Sequence, residues 1–400
     1  MEYAHAEIYS AGIGDVVAES EKLNCRILFV SAADWAFRAH RLSLAKWLIN
    51  QGAAVGVLCP PGEVQEELEA AGLKVFTMDW SRERVSLWDT WRAARKIRAV
   101  AEGFEADVVH CVSVRCVLLG WIATMGCGQR RWRMIHHIIG MGSLFSEKPK
   151  GAKSFVLRAM VEWALKRALQ GRRVTTVFQN GDDELYWCER AGLRAAQYRR
   201  VPGSIEWQEG VSPAEPESGR FRVLFVGRML EDKGVRELFE AWQMVRGKDE
   251  SVDLVLCGDV DPGNPRSLQS SELASMATVD GCEWLGHRGN VLDELTKSHV
   301  LALPSYREGF PRVVLEAGLA NRAVIVTDVP GCREVVQAEK SGWVVPAQDV
   351  GALANAIETL RNAPQRRDAL ARGLRARVQQ EFSDAVIHPR WGELYGLRHD

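Results

Sequence analysis

The sequence lacks a long apolar run, a metal-spaced cysteine set and a net charge of either sign, and each absence removes a class of function. Uncharged stretches such as Cys116–Gln129, fourteen residues, fall short of the roughly 20 needed to cross a bilayer as a helix. Fifty-one Lys and Arg against 52 Asp and Glu give a formal charge of -1, which removes the global basic field expected of a nucleic-acid binder. The nine cysteines, at 25, 59, 111, 116, 127, 188, 257, 282 and 332, form no C-x-x-C pair and no Cys/His cluster. Their number is odd and several sit inside apolar runs, so free thiols in a reducing, cytoplasmic compartment are expected. Residues 1–22 carry five carboxylates and no apolar stretch, which reads as a flexible extension rather than a leader. Glycine and proline are near average usage and aliphatics are plentiful, so neither a collagen-like nor a disordered chain is expected.

What is present is enough apolar material for two cores in 400 residues. Short β-branched runs alternate with longer amphipathic ones: "CRILFVS", then 41–51, "AAVGVLC", then 63–71, "KVFTM", "ADVVHCV" and "WRMIHHII". That rhythm predicts parallel strands joined by crossover helices. A second series runs through "FRVLFVG", "VDLVLCG", "CEWLG", "HVLALPS" and "AVIVTD". The fold class expected is α/β, two Rossmann-like domains facing across a cleft. The domains are placed at 23–205 and 220–380, with a Pro- and carboxylate-bearing linker over 206–219 and a last helix, 381–400, returning to the first domain. Residues 129–200 hold fifteen Lys and Arg against six Asp and Glu, a local positive patch on an otherwise neutral chain.

Ligands of open parallel sheets bind beyond the C-terminal ends of the strands. After "VLFVG", whose Gly227 begins the turn, Arg228 and Lys233 stand on the approach to a helix starting near Val235, where a guanidinium, an ammonium and free backbone N–H groups suit a diphosphate. After "HVLALPS", Glu308 sits in a turn, Pro311 suits the first helical positions and Glu316 follows within the helix. Carboxylates accept from vicinal hydroxyls, so one is expected to hold a sugar and the other a ribose, with the N–H groups around Gly309 and Phe310 facing phosphate. "DVD" at 259–261 is followed by "PGNP" and reads as a turn, so no metal and no other cofactor is expected. "MIHHIIGMG" places His136 and His137 on opposite faces of a strand, with Gly140 and Gly142 allowing a close approach.

The E-x7-E from Glu308 to Glu316, with "GRMLEDKG" and "PGCREVV", resembles the donor half of retaining GT-B glycosyltransferases of family 4. "DWAFRAHRLSLAKWL", "MIHHIIGMGSLFS", "VTTVFQNGDDELY" and "CGDVDPGNPRSL" are similar to a subgroup that extends polyprenyl-diphosphate-linked sugars, often with an N-acetylhexosamine, in surface-polysaccharide or glycan assembly. The resemblance implies that Arg228 and Lys233 bind the donor diphosphate, Glu308 the donor sugar, and Glu316 the nucleotide ribose. It implies a UDP-sugar donor, a lipid-linked saccharide acceptor and front-face transfer in which a donor phosphate oxygen takes the acceptor proton. It places His136 at the cleft histidine of an H-T-x-T-G-L-G pattern, which in this chain reads His136, His137, Ile138, Ile139, Gly140, Met141, Gly142. A lipid acceptor also gives the segment "KSFVLRAMVEWALKRALQGRR", about half apolar and set among basic residues, a place on the inner membrane's cytoplasmic surface. Two other readings fit the architecture: a non-hydrolysing nucleotide-sugar 2-epimerase, and a non-catalytic nucleotide-sugar-binding protein.

Overall fold

The structure, a computed structural model, describes residues 23–78, 86–125, 132–141, 152–208 and 219–397, without the side chains of residues 153 and 154. Gly142, Cys127 and most of the expected linker lie outside the described residues.

Two parallel sheets account for the architecture. The first contains β1 (Arg26–Val30), β2 (Ala54–Cys59), β3 (Lys74–Thr77), β4 (Val108–Val112), β5 (Arg133–Ile138), β6 (Val174–Phe178) and β7 (Tyr198–Arg200), in the order β3-β2-β1-β4-β5-β6-β7. The second contains β8 (Phe221–Val226), β9 (Val252–Cys257), β10 (Cys282–Gly286), β11 (Val300–Leu303), β12 (Ala323–Thr327) and β13 (Trp343–Val345), ordered β10-β9-β8-β11-β12-β13. Both are doubly wound. β4, β11 and β12 are buried along their whole length, because helices cover both faces, and this is why they read as unbroken apolar runs. In each sheet the strand order reverses beside the first strand, between β1 and β4 and between β8 and β11. A crevice opens there at the carboxyl ends.

Three strands were not legible as strands: β6 carries two threonines, and β7 and β13 are three-residue edges. The first helix runs Asp34–Asn50, starting seven residues before the periodic segment predicted from 41. Its buried stripe includes Asp34, Phe37, Arg41, Ala45 and Leu48, so a cation interrupts the apolar pattern that would have marked its first turns.

The chain crosses between lobes twice at one place. Ile205 pairs with Ser383 in an isolated parallel bridge, with Ile205 N–H donating to Phe382 O at 3.0 Å and Asp384 N–H donating to Ile205 O at 2.9 Å. Ser383 separates the helix Pro364–Phe382, packed on the second lobe, from Asp384–Tyr395. The latter buries Ile387, Trp391 and Tyr395 in the core of the first lobe beside Ile27, Phe29 and Phe37. No helix of the described residues is long and apolar enough to cross a membrane.

Candidate active site

A cavity of about 470 Å³ lies between the lobes, over the carboxyl ends of both sheets. Ser31 after β1, Ser113 after β4, Ile139 after β5 and Gln179 after β6 line one wall; Gly227 and Arg228 after β8 and the 308–311 turn after β11 line the other.

The second lobe presents its cations already paired. Lys233 closes a short 3-10 turn, Glu231–Lys233, and its Nζ meets Glu308 Oε1 at 2.5 Å, with Ser305 Oγ donating to the same oxygen at 2.7 Å. Gly234 then turns the chain into the helix Val235–Arg246 at φ +71, and a Cβ at that position would lie 2.3 Å from Pro304 O. Only glycine lets the Lys233 turn rest on the strand end that carries the Glu308 turn. Arg228 Nη1 reaches Asp261 Oδ2 at 2.7 Å, so the "DVD" turn supplies a counter-ion. Pro311 is the residue before the helix Arg312–Leu319, its φ of -76 suited to that start.

Of the residues singled out in the sequence, the cavity thus gathers Gly227, Arg228, Lys233, Glu308, Gly309, Phe310 and Pro311. Glu316, His136 and Gly140 are not in its lining. Glu316 accepts from Arg312 Nε at 2.9 Å one turn away, and burial raises its pKa despite that partner. The two carboxylates therefore do not face one space in this form of the molecule: Arg312 stands at the cavity wall and Glu316 behind it. His136 is 1% exposed and His137 fully buried, and neither is in the cavity lining. His40 and Arg41 of the first helix line the cavity instead. Gly140, at φ +144, faces the other lobe: its Cα opposes Gly309, and a Cβ on Gly309 would come within 1.9 Å of Ile139 O. These two glycines let the lobes touch backbone to backbone.

That contact is reinforced beside the cavity. Asn180 caps the helix Gly181–Ala191 through Asp183 N and donates from Nδ2 to Gly309 O at 2.9 Å, while Gly181 N–H donates to Glu334 Oε1 at 2.7 Å. Arg333 pairs with Asp182 at 3.1 Å, and Arg307 with the buried Asp183. A helix N-terminus with three carboxylates thus faces two arginines across the interface.

Sequence reasoning missed His40, Arg41, Ser113 and Arg312. The available signal was Arg41 on a buried helical stripe, four residues after Phe37. Among the described residues no group of three or more His, Cys, Asp or Glu is placed to hold a metal ion.

Two doubly wound lobes closing on a cation-lined cavity define the GT-B class of fold. Residues 38–204 match the family described as glycosyl transferase 4-like domain, and residues 220–362 match glycosyl transferases group 1; between them they span most of the chain, which belongs to the GT-B glycosyltransferases. It is 24% identical over 383 residues to the N,N'-diacetylbacillosaminyl-diphospho-undecaprenol alpha-1,3-N-acetylgalactosaminyltransferase of Campylobacter jejuni, covering 92% of this chain and 98% of that protein. It is 29% identical over 177 residues to the capsular polysaccharide biosynthesis glycosyltransferase CapM of Staphylococcus aureus, 44% of this chain and 45% of that one. Among solved structures, HepE of Anabaena in complex with UDP and glucose superposes with a TM-score of 0.71 at 18% identity, over 93% of this chain and 99% of that one.

Proposed function

We propose that this glycosyltransferase moves a sugar, an N-acetylhexosamine, from a UDP-sugar to a polyprenyl-diphosphate-linked saccharide with retention of configuration and without a metal. The observation that carries the reading is the Arg228, Lys233 and Glu308 group in one interlobe cavity. Breaking the bond from sugar C1 to the diphosphate develops negative charge on the leaving group and positive charge on the ring. Two cations held in place, with the backbone N–H groups of Gly309 and Phe310, stabilise the first without reorganising. The lysine is held by Glu308 until a diphosphate arrives, and exchanging that partner frees the carboxylate to accept from donor-sugar hydroxyls. The acceptor chemistry rests on the Campylobacter relative, the nucleotide on the HepE complex and on the sequence resemblance.

The reading is tested by assaying transfer from a panel of UDP-sugars to a short-chain polyprenyl-diphosphate saccharide. Lys233→Ala is expected to lower kcat by about 10²–10³-fold, the usual effect of removing one preorganised donor. Transfer by the variant at the wild-type rate would remove Lys233 from the mechanism. Turnover of the nucleotide sugar without acceptor would replace transfer by epimerisation.

The lipid acceptor also accounts for an apolar face. The helix Ala152–Leu169 exposes Phe155, Val156, Leu157, Met160 and Trp163, each more than half open to solvent. Trp121 of the neighbouring helix Val114–Ala123 packs edge-on against Trp163 at 6.1 Å, and Arg167 lies over the Trp163 ring at 5.9 Å. Aromatic and aliphatic side chains flanked by arginine fit the headgroup boundary of an anionic bilayer. Met160→Glu is expected to reduce co-sedimentation with phosphatidylglycerol vesicles about tenfold; unchanged sedimentation would detach this face from the membrane.

A further inference from the structure

Arg41 is a buried cation with no counter-ion among the described residues. It projects from the second turn of the helix Asp34–Asn50 and is 7% exposed, yet it lines the interlobe cavity. The other lysine and arginines of the lining each hold a carboxylate: Arg228 holds Asp261, Lys233 holds Glu308 and Arg312 holds Glu316. Arg41 donates from Nη1 to His40 O at 2.9 Å and from Nη2 to His137, 3.1 Å from Nδ1, and its Nε has no partner. No carboxylate pairs with it among the described residues.

What surrounds Arg41 fixes its direction without cancelling its charge. His137 Nδ1 lies 3.2 Å from His110 Nε2, and His110 Nδ1 lies 2.6 Å from Tyr395 Oη. Trp391 stacks against the guanidinium at 5.8 Å and against both imidazoles. Burial, and then the nearby guanidinium, hold His110 and His137 well below the usual histidine range, so both are neutral at pH 7. A neutral His137 accepts from Arg41 and brings no negative charge. Burial lowers Arg41 itself only to about 10, which leaves it charged. Desolvating a charge without a partner is expensive, and the expense is recovered only if an anion meets it.

We propose that Arg41 receives a phosphate oxyanion of the substrate, from the wall of the cavity opposite Arg228 and Lys233. The inference rests on the transfer reading, in which donor and acceptor each carry a diphosphate. His137, His110 and Tyr395 act as positioning residues for the guanidinium, which gives the histidine of "MIHH" and the returning helix a role in binding without contact with substrate.

The test is calorimetric titration of inorganic pyrophosphate into the full chain. Arg41→Met, which keeps length and suits the apolar surroundings, is expected to weaken binding about tenfold or more, the loss typical of a charge-assisted hydrogen bond. Without ligand it should melt at or above the wild-type temperature, since it removes an uncompensated buried charge. Should Arg41→Met fail to fold, Arg41→Lys carries the test: it retains the charge but loses the fork, and binding should fall severalfold. Pyrophosphate affinity equal to wild type in the folded variants would overturn the proposal. Two further arms, UDP and a short-chain polyprenyl diphosphate, identify the source by whichever dissociation constant moves; if neither moves, the proposal fails as well. Pyrophosphate binding is read without transfer, so a chain that proved inactive as a transferase would still decide the role of Arg41.

Discussion

The two lobes solve the same topological problem with opposite electrostatics. In the second lobe every cation at the cavity has a carboxylate within 2.9 Å, contributed by a nearby turn or the same helix. In the first lobe the cation at the cavity has none among the described residues, and its support is a chain of aromatic and imidazole groups drawn from residues 110, 137, 391 and 395. The second lobe therefore holds its charges in reserve, exchangeable for a ligand. The first keeps one uncompensated for whatever enters. A site built from local turns survives changes elsewhere in its lobe, while a site braced from four distant positions depends on the integrity of the whole domain.

Truncating Trp391 should separate the lobes most sharply. It is 2% exposed and touches Arg41, His110 and His137. Trp391→Ala is expected to cost about 3–5 kcal/mol, and urea unfolding should show the first lobe melting early while the second keeps its midpoint. A single shifted transition would mean the lobes unfold as one unit, and the comparison would lose its force.

A smaller effect is expected where the lobes touch. Gly309→Ala sets a methyl group against Ile139 O and should cost about 1–3 kcal/mol. Because neither lobe's interior is disturbed, the loss should appear as a larger radius of gyration in solution scattering and weaker transfer, with both cores intact.

Acid gives the gentlest discrimination. In the first lobe His110 and His137 are held neutral by burial and His40 is pushed down to about 3 by desolvation and then by Arg41, whereas in the second only His299 is pushed down, to about 4, by partial burial and then by Arg367 and Arg322. A histidine whose folded pKa is depressed contributes stability above its unfolded pKa, near 6.5, and loses it as pH falls further, because the unfolded chain takes up the proton. Each should remove up to about 1.4 kcal/mol per pH unit below that point. Between pH 6.5 and 5 the first lobe should lose stability about three times as fast as the second; equal slopes would mean that two of its three histidines are protonated in the native state.

The same contrast explains what could be read from the sequence. Arg228, Lys233 and Glu308 lie within turns that follow β-rich runs, so spacing, proline and glycine mark them, and the structure brings them together. The strand alternation gave both sheets except β6, β7 and β13, whose threonines or short length hide the pattern. His136 was expected at the cleft from its match to the H-T-x-T-G-L-G pattern and the glycines after it, with strand alternation leaving the other histidine structural. In a sheet covered on both faces both are inside, and that covering is a property of the whole domain. Glu316 was expected beside Glu308 from their spacing, but the arginine four residues before it intercepts the carboxylate. Arg41 became visible only when its helix was seen to begin at Asp34.

The paired crossing at Ile205 and Ser383 has a practical corollary for anyone recombining such enzymes. The terminal segment that follows Ser383 belongs by packing to the half of the molecule encoded first, so a hybrid cut once, in the middle of the gene, would inherit a mismatched Trp391 and Tyr395. Exchanging specificity modules cleanly requires two junctions, one on each of the adjoining strands, with residues 384–397 travelling alongside the amino-terminal portion.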